Sequence, residues 1–266
     1  MDLNTVTEFT PAAAAAWRDG DAWLGGGTWL FSRPQPSLRR LLDLASFGWT
    51  PLTETDSGLE IAATCTLGEL RAWRPAHAWP GAALAAPCCD ALLASFKVQH
   101  VATVGGNICL SLPAGSMTSL AAALDGVATL VAVDGAVRKV PVAEFVTGDG
   151  RNVLSPGELL RSVFLPAPAL RCRIALRQVS LSAVGRSAVL VIARVSPETG
   201  ASVVTVTAAV PRPLPLRFDA PPSPESAVAA LDAAGPRYLD DVYGNSRWRA
   251  AMTRRAVAEV VAELRG

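Results

Sequence analysis

Two glycine clusters carry the strongest chemical signal in the sequence. Residues 24–30 read LGGGTWL, and residues 101–115 read VATVGGNICLSLPAG. Consecutive glycines let the main chain approach a ligand closely and adopt positive φ. Their successive N–H groups can converge on one concavity and bind anionic oxygens. Gly25, Gly26 and Gly27 are followed by the hydroxyl of Thr28; Gly105 and Gly106 are followed by Asn107, whose amide both donates and accepts. Each cluster follows an apolar run read as a strand. Alone, either is a plain turn; together they could grip one pyrophosphate from two sides. The named phosphate loops do not fit. GxGxxG from Gly25 needs glycine where Leu30 stands, and neither Lys97 nor Lys139 sits in a Gly-Lys-Ser/Thr sequence.

The other reactive residue types are sparse. His77 and His100 are the only histidines, and no Ser–His–Asp arrangement is supported. His100 lies near the second cluster and reads as a surface or packed residue rather than a base. Asp90 and Asp125 read as isolated, solvated or capping carboxylates, and Asp240–Asp241 as a solvated loop rather than a metal pair. Trp29 is either core packing or a platform beside a ligand. The five cysteines, Cys65, Cys88, Cys89, Cys109 and Cys172, are odd in number and show no CxxC spacing. That argues against a disulfide framework and against a zinc or iron–sulfur site built by this chain. Net charge is +1, so no basic face for nucleic acid is expected. No apolar run reaches membrane-span length, and the N-terminal segment lacks a basic leader region. The expectation is a soluble, cytoplasmic protein in a reducing compartment.

The pattern predicts the elements that position these residues. Thr10 and Pro11 read as the cap and first position of a helix over the alanine run. DAWL, LRRLLDL and GLEIAAT read as strands. Thr66 and Glu69 have capping-box spacing, and so do Ser155 and Glu158, which predicts helices at ELRAW and GELLRSV. Residues 81–97 read as one buried helix, and residues 116–124 as a short one. Asp134–Gly135 predicts a hairpin. RIALRQVSL, SAVLVIARV and ASVVTVTAAV read as an antiparallel sheet. A proline-rich link, helix ESAVAALDAA and a terminal helix from Asn245 to Leu264 follow, the last with a stripe of Trp248, Met252, Val257, Val260, Val261 and Leu264. Helices and strands do not alternate, so the class is α+β.

The order LGGGTWL, VATVGGNICLSLPAG, LSPGELLRSVFLP, closed by a helix entered at Trp248–Arg249, resembles the FAD-binding (medium) subunit of the molybdenum hydroxylases of xanthine dehydrogenase and carbon monoxide dehydrogenase type. The resemblance covers essentially the whole chain. It implies a two-subdomain FAD-binding region of the vanillyl-alcohol oxidase (PCMH) type, residues 1–50 and 51–168, and a C-terminal antiparallel sheet with helices, residues 169–266. It implies that Gly25, Gly26, Gly27 and Thr28 wrap the FAD pyrophosphate, with Trp29 beside them. Thr103, Gly105, Gly106 and Asn107 would hold it from the second subdomain. Leu160 would lie beside the isoalloxazine, and Arg177 would be the cation near the flavin ring. Ser116 stands where the family often has an aspartate, and Gln99–His100 where it often has Arg-Asn. The implied partners are an iron–sulfur (2Fe–2S) subunit and a large molybdopterin subunit, with NAD or oxygen as electron acceptor. Alternatives are a structural or assembly subunit that kept the fold and lost the cofactor, and a stand-alone flavin oxidase.

Overall fold

The computed structural model describes residues 3–265. Strands β1 (Glu8–Pro11), β2 (Asp21–Leu24) and β3 (Arg40–Asp43) form a parallel sheet of order β1-β3-β2. Its core is small: Ala12, Leu42 and Leu44 are buried together with Leu159 from much later in the chain. A buried ion pair, Arg40 to Asp21 at 2.6 Å, joins β3 to β2. The hydrogen bond from Arg40 holds the Asp21 carboxyl below its ordinary value.

The second sheet takes β4 (Leu52–Thr55), β5 (Gly58–Ala62), β6 (Val127–Val131) and β7 (Val137–Pro141). After the small hairpin β8 (Val146–Gly148) and β9 (Arg151–Asn152), it is completed by β10 (Leu159–Pro166). The order is β4-β5-β10-β6-β7, antiparallel throughout, and Asp134–Gly135 turns β6 into β7 as predicted. The intervening helices are α1 (Leu67–Ala72), α2 (Ala85–Asp90), α3 (Phe96–Gln99), α4 (Val104–Leu110), α5 (Ser116–Ala123), α6 (Val142–Phe145) and α7 (Ala167–Leu170). The box at α1 is complete: Thr66 Oγ1 accepts from the Glu69 N–H at 3.1 Å, and the Glu69 carboxylate accepts from the Thr66 N–H at 2.7 Å.

The third sheet is β11 (Arg173–Val179), β12 (Val189–Val195), β13 (Ser202–Thr207) and β14 (Leu214–Phe218), antiparallel in chain order. Helices α8 (Pro224–Ala233) and α9 (Ser246–Arg265) cover it, burying Leu231, Val257, Val260, Val261 and Leu264 against Val191, Val204 and Val206. Every residue of α5 is buried. Cross-bonds fix it to the third sheet: the Ser119 and Thr207 hydroxyls lie 2.7 Å apart, and Arg194 donates to the Ala123 carbonyl at 2.8 Å and to Asp125.

Four local expectations fail. Pro11 ends β1 instead of starting a helix, because Glu8–Pro11 pairs with Arg40–Asp43; only one 3-10 turn, Ala12–Ala14, follows. Residues 81–97 are broken pieces, interrupted at Leu93, which takes φ +55°. Ser155 to Glu158 is a turn into β10, not a helix. Gly157 adopts φ +76°, and Glu158 is claimed by Arg138 at 2.7 Å while its carboxylate accepts from the Ser155 N–H. The proline-rich link contains edge strand β14, where Pro215 is tolerated because the outer side needs no N–H. Two carboxylates read as isolated are also paired: Asp90 with Arg71 at 2.7 Å, and Asp125 with Arg194 and Arg217.

Candidate functional site

The two glycine clusters meet. Residues 25–30, delivered by β2, form one side of a cavity of about 570 Å³; Thr103, Gly106 and Asn107 form the other. The approach leaves no room for side chains. A Cβ on Gly26 would stand 1.7 Å from the Val101 carbonyl oxygen, and one on Gly25 2.8 Å from Thr103 Oγ1. A Cβ on Gly105 would stand 2.5 Å from Ala63 Cβ. Gly27 adopts φ +69°. Gly106 differs: a Cβ there would meet only Thr103 Oγ1, at 2.9 Å.

Gly105 and Gly106 do not form a loop. They occupy the first turn of α4, whose N-cap Thr103 accepts from the Gly106 N–H at 3.1 Å. The Val104 and Gly105 N–H groups donate to the Cys65 and Ala63 carbonyls at 2.8 and 3.0 Å. The amides of the second cluster are therefore satisfied within the protein. Those of Gly26, Gly27 and Thr28 have no partner among the described residues. Asn107 Oδ1 accepts from the Met117 N–H at 3.0 Å, which leaves its Nδ2 as the free donor. Among the described residues, the unpartnered N–H groups thus come from one side of the cavity, and a side-chain amide from the other.

The rest of the wall is mostly apolar, with Leu92, Leu93, Val98, Leu110 and Leu112. Trp29 lies on it with Arg33 4.5 Å from its ring. Arg186 is the charged residue of the wall, seated 5.1 Å from the Tyr243 ring. Burial pushes the Cys109 thiol up to about 12, so it stays protonated at neutral pH.

Of the residues expected in the site, the structure brings together Gly25, Gly26, Gly27, Thr28, Trp29, Thr103, Gly106 and Asn107. Gly105 packs behind them on Ala63. Ser116 is fully buried at the start of α5, off the wall, with its Oγ unpartnered among the described residues. Leu160 is a core residue of β10. Arg177 lies on β11, paired with Glu259 at 3.2 Å and Glu263 at 2.6 Å, so it is engaged away from the cavity. The cation that reaches the wall is Arg186, from the β11–β12 loop. Nothing local marks it in the sequence; only the packing of that loop on Tyr243 does.

Free amides at a glycine turn, a cation, no acidic side chain on the wall among the described residues and a long apolar remainder fit an anionic pyrophosphate carrying flat rings. These features define a dinucleotide-sized binding cavity. A family model described as the FAD binding domain in molybdopterin dehydrogenase matches residues 4–168; the chain belongs to that family, and FAD is its cofactor. Xanthine dehydrogenase 2 of Arabidopsis thaliana is 29% identical over 128 residues, covering 43% of this chain and 9% of that protein. A xanthine dehydrogenase of Oryza sativa subsp. japonica is 33% identical over 84 residues, 29% of this chain and 6% of that protein. The chain thus spans less than a tenth of the length of these relatives. The fold matches CO dehydrogenase from Oligotropha carboxidovorans (TM-score 0.83, 20% identity, 97% of this chain and 96% of that chain). It also matches quinoline 2-oxidoreductase from Pseudomonas putida 86 (TM-score 0.80, 20% identity, 99% and 98%). Among the described residues no helix is long and apolar enough to cross a membrane.

Proposed function

We propose that this chain is the FAD-binding electron-transfer subunit of a multi-subunit molybdopterin-dependent hydroxylase. In this reading it takes electrons from a 2Fe–2S subunit and passes them to NAD or oxygen. The observation that carries it is the contact of the two glycine clusters around one cavity, with the Gly26 to Thr28 amides free. FAD supplies the ability to accept electrons singly and release them in pairs. The protein's own residues do the rest. The Gly26, Gly27 and Thr28 N–H groups bind the pyrophosphate, and the missing Cβ atoms at Gly25 and Gly26 let the two sides close on it. Asn107 presents Nδ2, its orientation fixed by Met117. Arg186 would put positive charge on the cavity wall, which would favour the negative charge a flavin gains on reduction. Trp29 and the leucines exclude water. Substrate oxidation belongs to the large molybdopterin subunit, and the five free thiols suit a cytoplasmic setting.

The test is co-purification with the neighbouring reading frames, followed by flavin, iron and molybdenum analysis. A complex carrying one flavin per copy of this chain, bleached when the hydroxylase substrate is added, is expected. A complex that turns over with this chain flavin-free would refute the reading.

A further inference from the structure

Arg249 opens α9 and is 1% exposed. Its guanidinium donates to the carbonyls of Gly244 at 3.0 Å, Ala188 at 2.7 Å and Ala208 at 2.7 Å, and to the Asp241 carboxylate at 2.6 Å. A planar fork of five N–H donors is what four acceptors on three segments require. Each partner leads to the cofactor cavity. Ala188 follows closely on Arg186. Asp241 and Gly244 bracket Tyr243 and bond to each other through their main chains at 3.3 and 3.1 Å. The Tyr243 ring in turn seats Arg186. On the other side, the Ala208 N–H donates to the Pro113 carbonyl at 2.9 Å, between wall residues Leu112 and Ala114. Ala208 holds φ +63°, a left-handed conformation costly for alanine, with both its polar groups engaged in these bonds.

We propose that, with FAD in this cavity, Arg249 is a positioning residue that sets the distance between the cavity's two walls. It holds Arg186 through Asp241 and Tyr243, and it holds the 110–115 wall through Ala208 and Pro113. The Trp248–Arg249 pair marks the helix entry in the sequence, but nothing in its spacing points to the four acceptors that Arg249 reaches.

The test uses the full chain loaded with FAD. FAD release on dilution is followed by the fluorescence of the freed flavin, and melting temperature is recorded beside it. Arg249→Lys cannot reach four acceptors; it is expected to speed release on the order of tenfold, the equivalent of one charge-assisted contact. Arg186→Gln and Tyr243→Ala are expected to speed it roughly threefold, the scale of an exposed cation–π contact. Because Arg249 acts partly through Arg186, the Arg249→Lys/Arg186→Gln double variant should release FAD more slowly than the product of the single effects. Both single arginine variants should shift the flavin's visible band in the same direction. Val257→Ala, in the same helix, is the control: its melting temperature falls but its release rate and band stay as in the parent. Wild-type release from Arg249→Lys overturns the proposal, and so does a matching acceleration in Val257→Ala or a fully multiplicative double variant. If Arg249→Lys does not fold, Asp241→Asn, which weakens the carboxylate contact that Arg249 makes, takes its place in the double-variant comparison with Arg186→Gln and decides by the same criterion. If Gly26→Ala leaves FAD bound as in the parent, the cavity is not the FAD site, and the proposal falls for that separate reason.

Discussion

Gly26→Ala is the sharpest test of the clamp. The added Cβ would stand 1.7 Å from the Val101 carbonyl oxygen, where contacts essentially never fall under 3.0 Å. The obstacle is main chain, so no rotamer change relieves it; the turn must retreat by about 1.3 Å. Overpacking of this kind costs about 1–3 kcal/mol of stability. A retreat of that size also carries the Gly26 and Gly27 amides out of hydrogen-bond range of a pyrophosphate. Each charge-assisted bond contributes about 1.5–3 kcal/mol, so losing two weakens FAD by about 3–6 kcal/mol, or roughly 10²–10⁴-fold. Gly106→Ala is the matched comparison. Its Cβ meets only Thr103 Oγ1 at 2.9 Å, which disturbs the α4 cap. A cap loss of about 1 kcal/mol is offset by a helix-propensity gain of about 1 kcal/mol, leaving the apo fold near neutral. Gly106→Ala should therefore melt like the parent, and any FAD it loses reflects lost space at the cavity. Isothermal titration with FAD on flavin-stripped protein, beside thermal melts, reads both quantities. Gly26→Ala with parental affinity and parental melting temperature would refute the contact between the two motifs.

Three more expectations follow from named contacts. Asn107→Asp keeps the acceptor for the Met117 N–H but removes the Nδ2 donor and adds negative charge; FAD affinity should fall by about 2 kcal/mol or more with little change in the apo melt, as titration would show. His77 sits between Glu54 and Asp56, at 3.2 Å from each, stacked on Trp79; its pKa is raised above 6.5, first by the Glu54 hydrogen bond and then by Asp56. The stabilisation is complete below the unfolded value and is lost as pH rises through the folded one, so His77→Gln should flatten the melting profile just above 6.5. Glu158 is held below 4.5, first by the Arg138 hydrogen bond; its stabilisation is complete above 4.5 and is lost as pH falls through the lower, folded value. Glu158→Gln should therefore lose stability at neutral pH and show a shallower acid limb than the parent in pH-dependent melts.

The sequence made legible those features whose causes are local. The Thr66 box, the Asp134–Gly135 hairpin and the Val257 to Leu264 part of the α9 stripe each form from residues a few positions apart, and each stands where the pattern puts it; at the start of α9 the buried face belongs to Arg249 and Thr253 instead of Trp248. The first glycine cluster was legible because three glycines and a hydroxyl have few other uses. The second was read as a loop after a strand, yet it is the first turn of a helix; the Thr103 cap and the contact on Ala63 outweigh the poor helix propensity of two glycines. Ser155 and Glu158 had the spacing of a helix start. Arg138 claimed the glutamate, and the pairing of Leu159–Pro166 with two neighbouring strands claimed the rest. The contacts of Arg186 and Arg249 were not legible for a single reason. Their roles depend on loops joined through Tyr243, Ala188 and Ala208, and no spacing in the chain encodes that meeting.

The small first sheet shares its core with Leu159, and Trp23 Nε1 donates to the Gly157 carbonyl at 3.3 Å. Its three strands are complete by Asp43, but the residue that closes its core is translated far later. On the ribosome, then, the Gly25–Thr28 turn is made before β10 and seated after it. It waits unburied until β10 emerges, and a nascent chain stalled before that point exposes Leu42, Leu44 and the tryptophans to chaperones or to other chains. The glycine turn after β2 is thereby seated only when β10 arrives, although the strand that delivers it is made more than a hundred residues earlier.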